Sequence, residues 1–370
     1  MARGKRQGVL IAGGGTAGCL AALALARFRP DVPLLIVEEK EKFGGDCFQL
    51  LYPAEAEGNG QALLAAIDGQ GWRGFYLAFP GMARKLKGAI GGFEPEALHR
   101  AMVTNLGPDQ YRLGTRIVAV REDALVLDGG ETIKADGALD ARGAANLSML
   151  ELLYETRVER LIRTGAPHRL DRPLLIDATI EQNLGFSFVQ AFPLGEDRLR
   201  IAKLLVSERS QTDEAAEGRL DHYLALRGWQ TAEVEGQCAL ARPLPVGGNF
   251  SAFWRIGGAR VARLGLRGGF VHPTSGRTAG DAVRNALLLA EQRDFTGTAL
   301  HDLFEEQARS LWRRREPLRA VNAAIAATSP DERRALMERV YGLDAGTLLR
   351  LETDRLGLLD RRRLQKALRG

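Results

Sequence analysis

The stretch VLIAGGGTAGCLAALALARFRPDVPLLIVEE, residues 9–39, decides the fold. It reads as a short apolar strand, a glycine turn, a helix of small and apolar residues, and a second apolar strand that ends on acid. Gly13, Gly15 and Gly18 have a telling spacing. In such a turn the first glycine makes the tight bend, the second admits a pyrophosphate against the backbone, and the third lets the helix pack close to the strand. A phosphate there meets free N–H groups and the positive end of the helix dipole, so no lysine is required. Glu38, twenty residues beyond Gly18, stands where a carboxylate accepts hydrogen bonds from ribose hydroxyls, with Glu39 as the alternative. A parallel βαβ unit that binds a dinucleotide is the expectation.

The chain has 370 residues of ordinary globular composition and a formal charge of +5. Its basic residues are interleaved with acids along the chain, so nucleic acid binding does not follow. Cys19, Cys47 and Cys238 have no paired spacing, which indicates neither a disulfide framework nor a zinc site and fits a cytoplasmic location. The five histidines are scattered, and no metal site is expected. The opening MARGKR before an apolar region resembles a secretory signal, but the glycine turn interrupts that region. No run approaches the ~20 apolar residues that span a bilayer, so any membrane contact is expected to be peripheral, at the inner face.

Working outward, residues 43–53 (FGGDCFQLLYP) form a loop placed near the far end of a bound dinucleotide. Residues 115–143 alternate as strands, turn at Asp128-Gly129-Gly130, and end on Asp140-Ala141-Arg142-Gly143. Residues 150–254 are richer in strand-like runs. Phe186 and Phe188 alternate onto one face there, as the aromatic wall of a pocket or as core. Residues 261–292 (VARLGLRGGFVHPTSGRTAGDAVRNALLLAEQ) read as a strand ending in glycines, then a helix whose N-terminus offers a second anion site. The expected class is α/β: a dinucleotide fold with a sheet-roofed substrate domain and a C-terminal helical region. The expected divisions are 1–149 and 257–292 for the two parts of the dinucleotide fold, 150–256 for the sheet domain, and 293–370 for the helices.

The order of these segments resembles the bacterial lycopene β-cyclase family, flavoproteins that cyclise the ends of a linear carotenoid. The resemblance runs through GGGTAG; Gly44-Gly45; Phe79-Pro80 with Arg84; Asp140 to Gly143; LLIDATIEQNLGFSFVQAFPLGEDRLRI from Leu174; YLALRGW from Tyr223; GLRGGFVHPTSG from Gly265; and SPDERRALMERVYGL from Ser329. It implies FAD, held reduced with NAD(P)H as an electron source, in a reaction without net redox change. An acid protonates a polyene end, a cation closes the ring, and a proton leaves. The cofactor residues it implies are Gly13, Gly15, Gly18, Glu38, Asp140, Gly143, Gly268, Pro273, Thr274 and Gly276. Phe186, Phe188 and Trp254 are the expected pocket walls, whose aromatic faces stabilise a cation. The implied partners are an apolar isoprenoid and a membrane surface.

Three site segments depart from the family. After the strand RLRI, where the family carries an acidic pair, this chain has Ala202 and Lys203. Before Gly247-Gly248 the carboxylate on hand is Glu235, and after Gly44-Gly45 stand Asp46, Cys47 and Phe48. A methyl group cannot protonate an alkene. Glu181 and Asp177 are therefore the candidate acids, ahead of Glu235 and Asp46. A redox flavoenzyme acting on an apolar substrate (a hydroxylase, halogenase or reductase) and a non-catalytic flavin or isoprenoid binder are the alternative readings.

Overall fold

The opening stretch folds into β1 (Val9–Ala12), α1 (Thr16–Phe28) and β2 (Leu34–Val37) in the computed structural model, which describes residues 8–182, 184–210, 215–256 and 260–369. The basic N-terminal residues 1–7 lie outside the described residues. There follow β3 (Gln49–Leu51), α2 (Asn59–Leu64), the long hairpin β4 (Gly69–Phe79) and β5 (Met82–Phe93), α3 (Pro95–Asn105) and β6 (Tyr111–Arg112). A three-stranded antiparallel meander, β7 (Ile117–Val120), β8 (Ala124–Leu127) and β9 (Thr132–Lys134), precedes β10 (Gly137–Asp140). The turn expected at residues 128–130 joins β8 to β9.

The second half begins with β11 (Leu150–Thr164), β12 (Leu174–Asp177), β13 (Phe186–Pro193), β14 (Arg198–Ser207), α4 (Ala216–Leu226) and β15 (Thr231–Gly248). Next come α5 (Phe250–Arg255), β16 (Ala262–Arg263) and α6 (Ala279–Ala290). The chain closes with α7 (Gly297–Arg314), α8 (Glu316–Ala327), α9 (Arg333–Tyr341), α10 (Ala345–Glu352) and α11 (Leu358–Arg369). The fold is α/β with a helical C-terminal region.

Two large sheets organise the molecule. The first is parallel, in the order β16-β10-β1-β2-β6. Its strands β1 and β10 are buried at every position because both faces are covered, with α1 among the elements of one core and the meander in the other. The second sheet has eight strands in the order β15-β11-β14-β13-β12-β4-β5-β3, antiparallel except between β12 and β4. Three of its strands come from residues 49–93. Residues on both sides of the division expected at residue 150 thus pair within this one sheet, through β4 and β12.

Side-chain alternation splits the eight-stranded sheet into two environments. Glu155, Arg157 and Glu159 on β11 lie opposite Val206, Leu204 and Ala202 on β14, which in turn lie opposite Phe186, Phe188 and Gln190 on β13. Apolar members of this face pack with residues of α8 to α11 in one core. The other face carries Ile162, Val189 and Ile201 and packs on Leu220, Tyr223 and Leu224 of α4.

Cys47 and Cys238 form a disulfide, with Cα atoms 6.3 Å apart. This corrects the reading of three unpaired cysteines. The partners are 191 residues apart in sequence, and only the long β15 brings them together, so spacing carries no trace of the bond. Cys19 is free and buried in α1.

Candidate functional site

The ends of β1, β2 and β10 open onto a cleft of about 440 Å³, lined among others by Gly13, Gly15, Thr16, Glu38, Arg142 and Gly143. Each turn glycine has a distinct reason to be there. Gly13 has φ +99°, Gly15 has nothing within 4 Å of a Cβ position, and a Cβ on Gly18 would lie 1.9 Å from the Gly13 carbonyl oxygen. These are the tight bend, the open approach and the close helix packing that the spacing predicts. Glu38 Oε2 accepts from the Gly14 amide at 2.5 Å and Oε1 from the Lys40 amide at 2.9 Å, so its carboxylate is fixed at the cleft wall. Glu39 borders the cleft as well.

Asp140 works behind the wall. It accepts from Arg142 Nε and Nη2 at 2.9 and 2.8 Å and faces Arg267 at 3.5 Å. Burial raises its pKa, but the hydrogen bond from Arg142 and the two cationic charges outweigh burial and hold it below the ordinary carboxylate range. It thereby positions the Arg142-Gly143 loop.

Gly265, Leu266 and Thr278, just before α6, close the far side of the cleft. Gly268 is a packing glycine, since a Cβ there would meet Phe270 and the Arg263 carbonyl. The Pro273 carbonyl accepts from Asn322 at 2.8 Å. Gly276, at φ +63°, brings the loop against Leu244 and Glu155. His272 ties this loop to α10, with Nε2 3.0 Å from the Leu351 carbonyl and Nδ1 2.9 Å from Ser275 Oγ. Burial, reinforced by Arg277 and Arg315, pulls its pKa well down, so the ring is neutral and Nε2 donates.

Beyond the cleft lies a narrow slot of about 40 Å³ under the eight-stranded sheet. Gln49 and Arg242 border both spaces. One part of the slot wall is apolar: Phe48, Leu175, Ile176, Phe188 and Phe192. The rest is polar, and sequence reasoning did not find it. Arg277 donates from Nη1 to Glu55 Oε2 at 2.6 Å, and its Nη2 lies 3.5 Å from Glu352 Oε2. Its guanidinium also covers the Tyr52 ring, 4.8 Å from the centroid. Tyr341 donates to Glu352 Oε1 at 3.1 Å. Two buried carboxylates thus share one guanidinium. Burial raises the Glu352 pKa above the ordinary glutamate range, against the opposing charge of Arg277.

The two acids proposed from sequence sit elsewhere. Asp177 lies opposite Val189, on the face away from the slot. There it accepts from Thr179, from Tyr223 Oη at 2.7 Å and from Arg227 Nη2 at 2.8 Å. Glu181 is exposed in the loop after β12. Glu235 pairs with Arg163 and Arg198, and Asp46 with Lys40. Lys203 is buried on the outer face, so it does not replace the acid lost at residue 202. Phe188 lines the slot and stacks on Phe186, ring centroids 5.1 Å apart. Trp254 belongs instead to the core of the dinucleotide half, against His301. The signals missed were all long-range, because Glu55, Arg277 and Glu352 meet only through the fold. His301, Asp302 and Glu305 cluster with ligand-like spacing, but Arg260 pairs with Asp302 and Arg309 with Glu305.

Comparison with known proteins agrees with this layout. The family model described as lycopene cyclase protein matches residues 8–367. The lycopene β-cyclase of Pseudescherichia vulneris is 29% identical over 96% of this chain and 92% of its own length. That of Pantoea ananas is 28% identical over 96% and 93%. Among solved structures, a geranylgeranyl bacteriochlorophyll reductase-like protein from Thermoplasma acidophilum superimposes with a TM-score of 0.65 at 13% identity, covering 97% of this chain and 95% of that one. A flavin-dependent halogenase from Xanthomonas campestris gives 0.60 at 16% identity, covering 98% and 94%. No helix among the described residues is long and apolar enough to cross a membrane.

Proposed function

The chain belongs to the lycopene cyclase protein family, and on that premise we propose that it binds FAD and, with the flavin reduced by NAD(P)H, cyclises the end of a linear carotenoid or other isoprenoid. The cleft supports the cofactor assignment through its open Gly15, the α1 N-terminus behind it and the Glu38 carboxylate fixed at its wall. Gly143, Gly265 and Thr278 would hold the remainder. Reduced FAD, when bound, supplies electron density near a developing cation.

The observation that carries the chemistry is the buried Glu352. Glu155 and Glu352 are the carboxylates on the slot wall among the described residues. Glu155 lies 3.3 Å from Arg157, whereas Glu352 shares its cation with Glu55, and burial raises its pKa. In this reading Glu352 is the protonated acid and gives its proton to a terminal alkene, the ring closes, and a carbon next to the cation returns a proton, so the mass does not change. Tyr341 and Arg277 orient the carboxyl. Phe48, Phe188 and Phe192 exclude water and turn ring faces toward the cation. An isoprenoid end enters by displacing slot side chains, from a membrane surface to which the protein binds peripherally.

The test is anaerobic. Protein loaded with FAD and reduced by dithionite is given lycopene or a shorter linear isoprenoid in liposomes, and the products are separated against an oxidised control. A ring-containing isomer of unchanged mass is expected only with reduced flavin. Glu352→Gln should lower its formation about 100-fold or more while leaving flavin retention intact. Stoichiometric NAD(P)H or oxygen consumption without an isomer would replace the cyclase reading with redox chemistry.

A further inference from the structure

Among the described residues two carboxyl groups line the slot, Glu352 from α10 and Glu155 from β11, and the reaction proposed above gives work to the first alone. Glu155 is only 2% exposed, and its Oε1 is a buried oxygen that accepts no hydrogen bond among the described residues. Buried polar atoms are nearly always paired, so an orphan on a cavity wall points to a ligand. Arg157 Nη2, 3.3 Å away, balances its charge and leaves the oxygen's lone pairs unclaimed. Glu159, on the same face of β11, is by contrast engaged at both oxygens: Oε1 accepts from the Phe48 amide at 3.1 Å and Oε2 from Arg157 Nη1 at 2.9 Å. Ala202, where the family's acid is missing, stands on this face too, opposite Glu159. The carboxylate absent from β14 is thus present on the neighbouring β11.

Ring closure leaves a cation, and a carbon beside it must hand a proton to a base before the product is neutral. Glu352 approaches the slot from the helices, held by Arg277 and Tyr341, and Glu155 approaches from the sheet. Carboxyl groups in such different surroundings divide acid work from base work. A carbocation acidifies the neighbouring C–H bonds so strongly that even a carboxylate paired with arginine is basic enough, and position decides. We propose that Glu155 is the catalytic base: its Oε1 takes the proton from a carbon beside the cation, the C–H electron pair becomes the ring double bond, and the double-bond isomer is thereby chosen. The competing carbons are the one that has just formed the new bond, the ring CH2 and the methyl-bearing side; the one that faces Oε1 loses its hydrogen. In each turnover Glu352 loses a proton and Glu155 gains one, and exchange with water after product release restores both, so nothing is oxidised or reduced. This rests on the cyclase reading above.

Wild type, Glu155→Gln and Glu155→Asp, loaded with FAD and reduced, are compared on lycopene in liposomes without oxygen; ring isomers are separated, and kcat, KM, flavin retention and Tm are followed. Wild type should give a single ring isomer. Glu155→Gln, alike in shape but unable to take the proton, should lower kcat about tenfold or more with KM little changed, and should yield a mixture of ring isomers. Glu155→Asp keeps the charge that faces Arg157 and withdraws the oxygen by one methylene, so it tests the isomer ratio even where the glutamine variant does not fold. An unaltered rate and isomer ratio in a variant that retains flavin overturns the assignment and leaves the cyclase reading standing. A lower rate with the same single isomer, or loss of flavin from Glu155→Gln with the isomer of Glu155→Asp unchanged, gives Glu155 a structural or cofactor-holding role and also overturns it. No ring from wild type overturns the cyclase reading and this base with it.

Discussion

A methyl group at Gly18 would sit 1.9 Å from the carbonyl oxygen of Gly13, backbone that cannot yield without opening the turn. Gly18→Ala should therefore cost about 2 kcal/mol or more and release the flavin, measured as a lowered Tm and loss of flavin absorbance after gel filtration. Glu352 makes a prediction of opposite character. Its folded-state pKa is raised above the ordinary glutamate value, so its contribution is fully present at low pH and is lost as pH rises through the folded pKa. Glu352→Gln cannot ionise and should lose less Tm than the wild type as pH rises above the ordinary glutamate range, checked by thermal melts across pH. The glycines were legible in the sequence because backbone sterics act locally. Glu352 was not, because its meaning depends on Glu55 and Arg277, far apart in the chain and joined only by packing. The placement of Asp177 away from the slot was hidden for a related reason: motif position says nothing about which face of the sheet a side chain takes.

At the scale of elements, α6 is anchored by charge. Asp281 in its first turn is bound by Arg315 at 2.7 and 2.8 Å, and Arg315 reaches on to Asp354 and to the Val271 carbonyl, both at 3.0 Å. One guanidinium thus fastens the cleft-side helix to the C-terminal bundle. Burial opposes the Asp281 charge, but Arg315 and Arg284 overcome it and hold the pKa far below the usual range. The stability this gives is present above the unfolded carboxylate pKa of about 3.9 and disappears as pH falls. Asp281→Asn should cost about 3–5 kcal/mol at neutral pH, a deficit that narrows in acid, as denaturant unfolding at several pH values would show. The β1-α1-β2 unit was readable because each piece is long enough to carry its own period. Strands such as β3 and β16, three and two residues long, exist only because a neighbour pairs with them.

For the molecule as a whole, the disulfide between Cys47 and Cys238 ties the loop beside the cleft to the last strand of the eight-stranded sheet. Closing so long a loop restricts the unfolded chain, so reduction should destabilise the wild type by about 2–4 kcal/mol. Dithiothreitol should lower the wild-type Tm and leave a Cys47→Ser variant unmoved. The overall division into a nucleotide half, a sheet and a helical end could be anticipated from composition and order. The sharing of the second sheet between residues 49–93 and 150–248 could not, because strand partners are chosen by tertiary fit. The parallel sheet has a similar property. Its edge strand β16 follows the whole of the other sheet in the chain, and the residues closing the cleft, Gly265, Leu266 and Thr278, come later still. During synthesis the glycine turn therefore waits, with half a binding site, while the whole eight-stranded sheet is made and until Thr278 has followed it. On the proposed function, cofactor capture then comes after the sheet and not with the turn that announces it.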